Sequence, residues 1–275
     1  MTSLIHPYAC VHPSAQLGAN VRVGAGATID EGCVIGDDCE IRANAVVTGA
    51  SVLGAGNQIG YGAIIGAEPQ DLSFKGGNSR VEIGARNVIR EYVTIHRGTK
   101  PDTVTTLGDD CYLMAGAHVA HNCRVGNRVI IVNNVLLAGY VEVGDRAFLG
   151  GAAVVHQFVR VGEGAIMRGK AGIGKDLPPW FMAVGTNYTS GLNRVGMRRT
   201  GIATATIRKV QRVYQMLYED GLNVTQALLK MEADPEMCDV PEIRTIIAFI
   251  RASKRGILRG GPAAAGRGDR GGSED

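Results

Sequence analysis

An aliphatic residue returns at every sixth position from Ile5 to Ile173, with two interruptions. The first run extends from Ile5, Val11, Leu17 and Val23 to Ile65; the second is Ile83, Ile89 and Ile95; the third runs from Leu107 to Met167 and Ile173. Neither an α-helix nor an ordinary strand has this period, whereas a parallel β-helix of hexapeptide repeats does. Glycine often follows the aliphatic (Gly18, Gly24, Gly36, Gly60, Gly126, Gly144). A corner there needs a residue that tolerates positive φ or a close backbone approach. Four places after the aliphatic stands a small or β-branched residue such as Ala27, Ala63, Ala117 or Val135. Each hexad therefore offers one large inward residue, one small inward residue and a corner. Three hexads, about 18 residues, close a triangular coil, and coils stack about 4.8 Å apart.

The pattern fails at 66–80 and 97–106, which are expected to leave the solenoid as loops. Such loops are where partners are commonly bound. After Pro178-Pro179 the period changes, and 202–220, 223–233 and 240–256 read as amphipathic helices. In the first of these Ile207, Val210, Val213, Tyr214 and Leu217 share a face. The expected organisation is a β-helix over 1–185, an α-helical C-terminal domain over 186–259 and a disordered tail over 260–275, which has no apolar period.

Composition removes several classes. A net charge of +3 gives no argument for nucleic acid. Nothing resembles a signal peptide or a membrane span, so a cytoplasmic location is expected. The helical part is locally basic (Arg194, Arg198, Arg199, Arg208, Lys209, Arg212), which suits either an acidic partner or a solvated face. Of six cysteines, Cys33, Cys39, Cys111 and Cys123 fall in the small inward place and read as packing residues. Cys10 and Cys238 are isolated, and there is no C-x-x-C pair.

The period also gives the histidines addresses. His6 and His12 read as solvated corner residues. The hexads at Ile95, Val119, Leu137 and Val155 stack on one face, which brings His96, His118, His121 and His156 to one groove. Gly139 takes the same place in its hexad as His121, one coil further on. A base beside a backbone N–H is what acyl transfer needs: the base takes the nucleophile's proton and the N–H holds the oxyanion. Zinc is the rival reading, but His118 and His121 have two residues between them, unlike the histidine pair of hexapeptide carbonic anhydrases.

Several segments are more specific than the period. They are Pro69-Gln70-Asp71-Leu72, Arg80-Val81-Glu82-Ile83-Gly84, Ile89-Arg90-Glu91 and Thr94-Ile95-His96-Arg97-Gly98-Thr99. Further on stand His118-Val119-Ala120-His121-Asn122-Cys123, Val155-His156-Gln157-Phe158 and Asp176-Leu177-Pro178-Pro179. With these the chain, from about residue 5 to 259, resembles the UDP-N-acetylglucosamine 3-O-acyltransferases that open lipid A biosynthesis. The resemblance implies a homotrimer of left-handed parallel β-helices with active sites between neighbouring prisms. It implies no cofactor, the acyl donor being carried on the phosphopantetheine of acyl carrier protein. The acceptor would be a UDP-sugar.

Residue by residue, the resemblance makes His121 the general base and Gly139 the oxyanion donor. It places Gln70, Asp71, Ser73, Lys75, His96, His118, Tyr140, His156 and Gln157 against substrate, with Asn193 and Arg199 on the nucleotide side. Gly169 matches the position that limits acyl length, and a glycine there leaves room for a longer chain. Three places depart from the family pattern. Ser73-Phe74 stands for Lys-Tyr, with Lys75 a candidate to cover for the lysine; Tyr140 stands for a histidine; Thr200 stands for an arginine. All lie on the acceptor side, which raises the alternative of a variant acceptor such as a 3-amino UDP-sugar. A non-catalytic scaffold that binds acyl carrier protein is a further alternative, against which His121 and Gly139 argue. The related N-acyltransferase carries an extra domain before its repeats, for which a repeat starting at Ile5 leaves no room.

Overall fold

The computed structural model describes residues 4–261. From Leu4 to Ile173 the chain forms short strands, most of two residues, one per hexad. They pair in parallel into three sheets that are the sides of a triangular prism. The first sheet begins with Leu4–Ile5, the second with Cys10–Val11 and the third with Gln16–Leu17. Residues 18 apart pair throughout the regular part, as in Cys10↔Thr28 and Val119↔Leu137. This is the three-hexad coil.

The two interruptions are whole multiples of the repeat. Ile64 pairs with Thr94, 30 residues on instead of 18, and Thr94 with His118, 24 on. The chain thus inserts 12 and then 6 residues and resumes in phase. The loops are shorter than the pattern indicates, at 68–79 and 97–103, because their ends extend the sheet. Arg80–Ile83 and Val104–Leu107 pair over four positions.

The inward aliphatics form one continuous core; Ile59, Ile65, Leu113 and Leu137 are fully buried. Each such side chain contributes about 1.5–3 kcal/mol of burial. The exception is the first coil: Ile5 is 46% exposed, with no coil beneath it among the described residues. The four cysteines of the inward place are buried and unbridged, and Cys10 is exposed. His6 and His12 are exposed.

The glycines after the aliphatic serve close approach rather than positive φ. A Cβ on Gly24 would lie 2.6 Å from Ala43 N, and one on Gly60 2.6 Å from Arg90 C. Positive φ falls two places later, at residues such as Asn122 (61°), Asn134 (58°) and Tyr140 (61°).

Beyond the prism, Phe181–Val184 and Tyr188–Leu192 form an antiparallel pair at the end of the first sheet. Five helices follow: α1 Arg194–Arg199, α2 Thr204–Tyr218, α3 Val224–Glu232, α4 Pro235–Cys238 and α5 Pro241–Arg251. The apolar pattern misses α1 and α4, which are too short to show a period and are set by the caps Asn193 and Asp234. In α2, Ile207, Val210, Val213 and Leu217 are buried as expected. The last expected helix stops early, and Arg259–Gly260 pairs with Tyr188–Thr189 instead. Gly260, expected to open the tail, is thus paired in a strand, and 262–275 of that expected segment lie outside the described residues. Asp176, 1% exposed, fastens the helices to the prism: it accepts from Arg160 at 3.0 Å and from Ser253 Oγ at 2.7 Å.

Candidate active site

The site is built on the edge where the chain passes from the second sheet to the third. Ile95, Val119, Leu137 and Val155 stack on the second sheet, and the residues two places after them mark successive coils of this edge: Arg97, His121, Gly139 and Gln157. His121 is 8% exposed. Its Nδ1 lies 2.6 Å from Thr99 Oγ1 and 3.0 Å from Asn122 Oδ1. Its Nε2 faces Asp71 Oδ2 at 3.5 Å, too long for a direct hydrogen bond. Asp71 stands on the first insertion loop and is held below the ordinary carboxylate range, first by the Ser73 backbone N–H, which donates to Oδ1 at 2.8 Å. The first loop thus folds back over the edge and delivers a carboxylate to the imidazole.

Gly139 packs directly against the ring. A Cβ there would lie 2.5 Å from His121 Nε2, so no larger residue fits without moving the imidazole. Gly139 is buried, and among the described residues nothing accepts from its N–H. This open N–H stands beside the imidazole. Its carbonyl accepts from the Phe158 N–H, as the His121 carbonyl accepts from Tyr140. Those bonds hold Tyr140 and Phe158 in the left-handed conformation (φ 61° and 63°). Tyr140 meets the His121 ring edge-on at 5.4 Å and stacks on Phe158 at 4.8 Å.

Three of the four histidines come together. His96 and His118 meet edge-on at 4.8 Å, and both are pushed down by burial first and then by neighbouring imidazoles. His96 falls to about 4 and has a buried Nδ1 without a partner. His118 Nδ1 bonds Thr94 Oγ1 at 2.7 Å. His156 stands apart, exposed, with Arg255 Nη2 3.3 Å from its Nδ1. Among the described residues no cluster of three His, Cys, Asp or Glu is arranged to hold a metal ion.

Two spaces lie near the imidazole. A cavity of about 920 Å³ is lined by His121's neighbours Asn122 and Tyr140, by Phe158, by Arg124, Arg160, Lys254 and Arg255, and by the carboxylates of Asp102, Glu142 and Asp176. On the second sheet, Leu136 and Val154 point outward, 46% and 43% exposed, in register above His118 and below Gly172. That strip is apolar and begins at the histidines.

Gly169 and Asn193 lie elsewhere in the chain. Gly169 is two places after Met167 on the edge between the first and second sheets, and a Cβ there would meet nothing closer than Gly151 O at 3.4 Å. Asn193 is the N-cap of α1 and donates to Gly164 O at 2.8 Å, on the edge between the third and first sheets. Arg199, at the end of α1, is exposed, as are Gln70, Ser73, Lys75 and Gln157. His121, Gly169 and Asn193 thus occupy three different edges. Sequence reasoning missed Thr99 and Arg255. Thr99 lies inside a break in the period, where positions have no address, and Arg255 comes from beyond the last helix.

Comparison with known proteins gives separate matches along the chain. The family model described as Udp N-acetylglucosamine O-acyltransferase, Domain 2, matches residues 176–258. Bacterial transferase hexapeptide repeats match 105–139, and the hexapeptide repeat of succinyl-transferase matches 15–49. The acyl-[acyl-carrier-protein]–UDP-N-acetylglucosamine O-acyltransferase of Thermodesulfovibrio yellowstonii is 47% identical over 197 residues, 71% of this chain and 76% of that protein. Among solved structures, the UDP-N-acetylglucosamine acyltransferase of Bacteroides fragilis superposes with a TM-score of 0.87 at 41% identity, covering 93% of this chain and all of that one. That of Francisella novicida gives 0.89 at 35% identity, covering 93% and 94%.

Proposed function

This chain belongs to the acyl-[acyl-carrier-protein]–UDP-N-acetylglucosamine O-acyltransferase family, and from that premise we propose how its second–third edge carries the reaction. The fold is the left-handed parallel β-helix with helices at its C-terminal end. The activity is transfer of an acyl chain from acyl carrier protein to a hydroxyl of UDP-N-acetylglucosamine, the step that opens lipid A assembly. The hydroxyl is that of the sugar's 3-position, and the donor thioester is carried on the phosphopantetheine arm of the carrier, without a further cofactor.

His121 Nε2 takes the proton of that hydroxyl as the oxygen attacks the thioester carbonyl. The new C–O bond forms, the carbonyl oxygen becomes an oxyanion, and the Gly139 N–H donates to it. Collapse breaks the C–S bond, and the imidazolium returns the proton to the departing thiolate. Asp71, 3.5 Å from Nε2, supplies the countercharge while the ring is protonated. The Leu136–Val154 strip suits the acyl chain, and the open space at Gly169 accommodates its far end. The cavity beside Tyr140 and Phe158, where Arg124, Arg160, Lys254 and Arg255 outnumber Asp102, Glu142 and Asp176, suits the charged nucleotide part of the acceptor.

Asn193 and Arg199 belong to a different edge from His121, so one chain does not complete the site. A homotrimer, in which edges of adjacent prisms face each other, brings them together, and that arrangement is part of the proposal. No helix among the described residues is long and apolar enough to cross a membrane, and the proposed place of action is the cytoplasm.

The pairing of His121 with the unpartnered N–H of Gly139 carries this reading. It is tested by mass spectrometry of products from 3-hydroxyacyl carrier protein offered UDP-N-acetylglucosamine together with its 3-amino analogue. The expected product is the 3-O-acyl nucleotide, lost by 10²–10⁴-fold (about the span of a general base) in His121→Ala. Preference for the amino sugar, or unchanged turnover in His121→Ala, overturns it.

A further inference from the structure

Two residues without an assigned role, Thr99 and Asn122, surround His121 Nδ1. Thr99 stands in the second insertion loop and is 5% exposed. Its backbone N–H donates to Asn122 Oδ1 at 3.0 Å. An N–H can only donate, so the amide atom facing it is the oxygen, and the orientation of Asn122 is fixed. The same oxygen lies 3.0 Å from His121 Nδ1. Thr99 Oγ1 donates to it as well, at 3.0 Å, which leaves the hydroxyl's lone pairs for Nδ1 at 2.6 Å. Two acceptors therefore converge on Nδ1. With the proton on Nδ1 both Nδ1 contacts are satisfied, and the Asp71 carboxylate, 3.5 Å from Nε2, is too far to hold a proton there by a direct hydrogen bond. With the proton on Nε2, the Nδ1 lone pair faces the Asn122 carbonyl oxygen, and the single Thr99 hydroxyl proton cannot serve both.

Asn122 is itself held in place. It adopts φ 61°, a conformation asparagine tolerates, and its N–H donates to the buried Thr105 Oγ1 at 2.7 Å. The apparatus is neutral and contains no carboxylate on the Nδ1 side. Thr99 stands on the second insertion loop, which thereby reaches the imidazole.

We propose that Thr99 and Asn122 are positioning residues that lock the proton of neutral His121 on Nδ1, leaving Nε2 free, beside Gly139, to accept the hydroxyl proton. The inference rests on His121 being the base. Its readout is separable from that reading, because the tautomer is observed without turnover.

The experiment is a long-range ¹H–¹⁵N correlation spectrum of the full-length native protein labelled at histidine, recorded at alkaline pH, with His121→Gln to assign the signal. The expected result is a pyrrole-type Nδ1 and a pyridine-type Nε2. Thr99→Val removes an acceptor and mixes the two tautomers; it lowers kcat about 10- to 100-fold, the usual cost of losing a histidine's outer partner, with KM for the nucleotide sugar little changed. Thr99→Ser keeps the hydroxyl and restores both signal and kcat. Asn122→Asp keeps an acceptor at Nδ1 and keeps the Nδ1–H signal. A native His121 with its proton on Nε2 overturns the proposal, as does a Thr99→Val protein of native melting temperature with unaltered tautomer and kcat.

Discussion

Two edges of the prism use the same place in the repeat for opposite ends. Where the third sheet turns into the first, the residue two places after the aliphatic is Asp37, Asp109, Asn127 or Asp145. Each accepts from the backbone N–H at the same place one coil earlier: Ala19 to Asp37 at 2.7 Å, Ala85 to Asp109 at 2.8 Å, Asp109 to Asn127 and Asn127 to Asp145 at 2.9 Å. Four corner N–H groups are thereby satisfied by side chains of the next coil. Where the second sheet turns into the third, the same place holds His121, Gly139 and Gln157, and the Gly139 N–H is left open. One backbone geometry thus gives a closed polar seam on one edge and a donor beside a base on another. The difference lies in the side chain of the next coil.

The largest effect that would break this comparison is on the open edge. Gly139→Ala places a methyl 2.5 Å from His121 Nε2 and displaces both base and donor. A fall in kcat of about 10²–10³, the cost of an oxyanion donor, is expected, with the melting temperature nearly kept. Near-native kcat would mean that the open N–H is idle.

A second prediction concerns stability against pH. His96 is buried and depressed from 6.5 to about 4. Between those values the unfolded chain binds a proton that the folded chain refuses, so stability is full above pH 6.5 and falls as the pH drops towards 4. The loss is up to about 3 kcal/mol, and His118, pushed in the same direction, adds to it. His96→Gln should flatten the denaturation midpoint across that window; an unchanged slope would refute the assignment.

The smallest effect belongs to the closed edge. Asn127→Ala removes one rung, costing about 1 kcal/mol and lowering Tm by roughly 2–4 °C, with kcat unchanged. A kinetic effect there would show that the closed edge is not merely structural.

Much of this was legible from the period. It placed Val119 over Ile95 and Leu137 over Val119, and so set Gly139 against His121. It also put Cys33, Cys39, Cys111 and Cys123 in the core. It could not resolve the insertions, whose ends continue the sheets, nor show that Thr99 reaches Nδ1, because looped residues have no place in the repeat. His156 shares the predicted edge, yet Tyr140 and Phe158, whose rings project from left-handed corners, flank the base instead. Helices α1 and α4 escaped because capping, not amphipathicity, defines them.

The most direct test removes the imidazole and keeps a polar side chain in its place. His121→Asn puts on the second–third edge the residue type that Asn127 supplies at the same place on the third–first edge. Turnover with acyl carrier protein thioester and UDP-N-acetylglucosamine should fall by about 10²–10⁴ in a protein that melts as the native one does. Turnover within a few-fold of native in that variant would contradict the account.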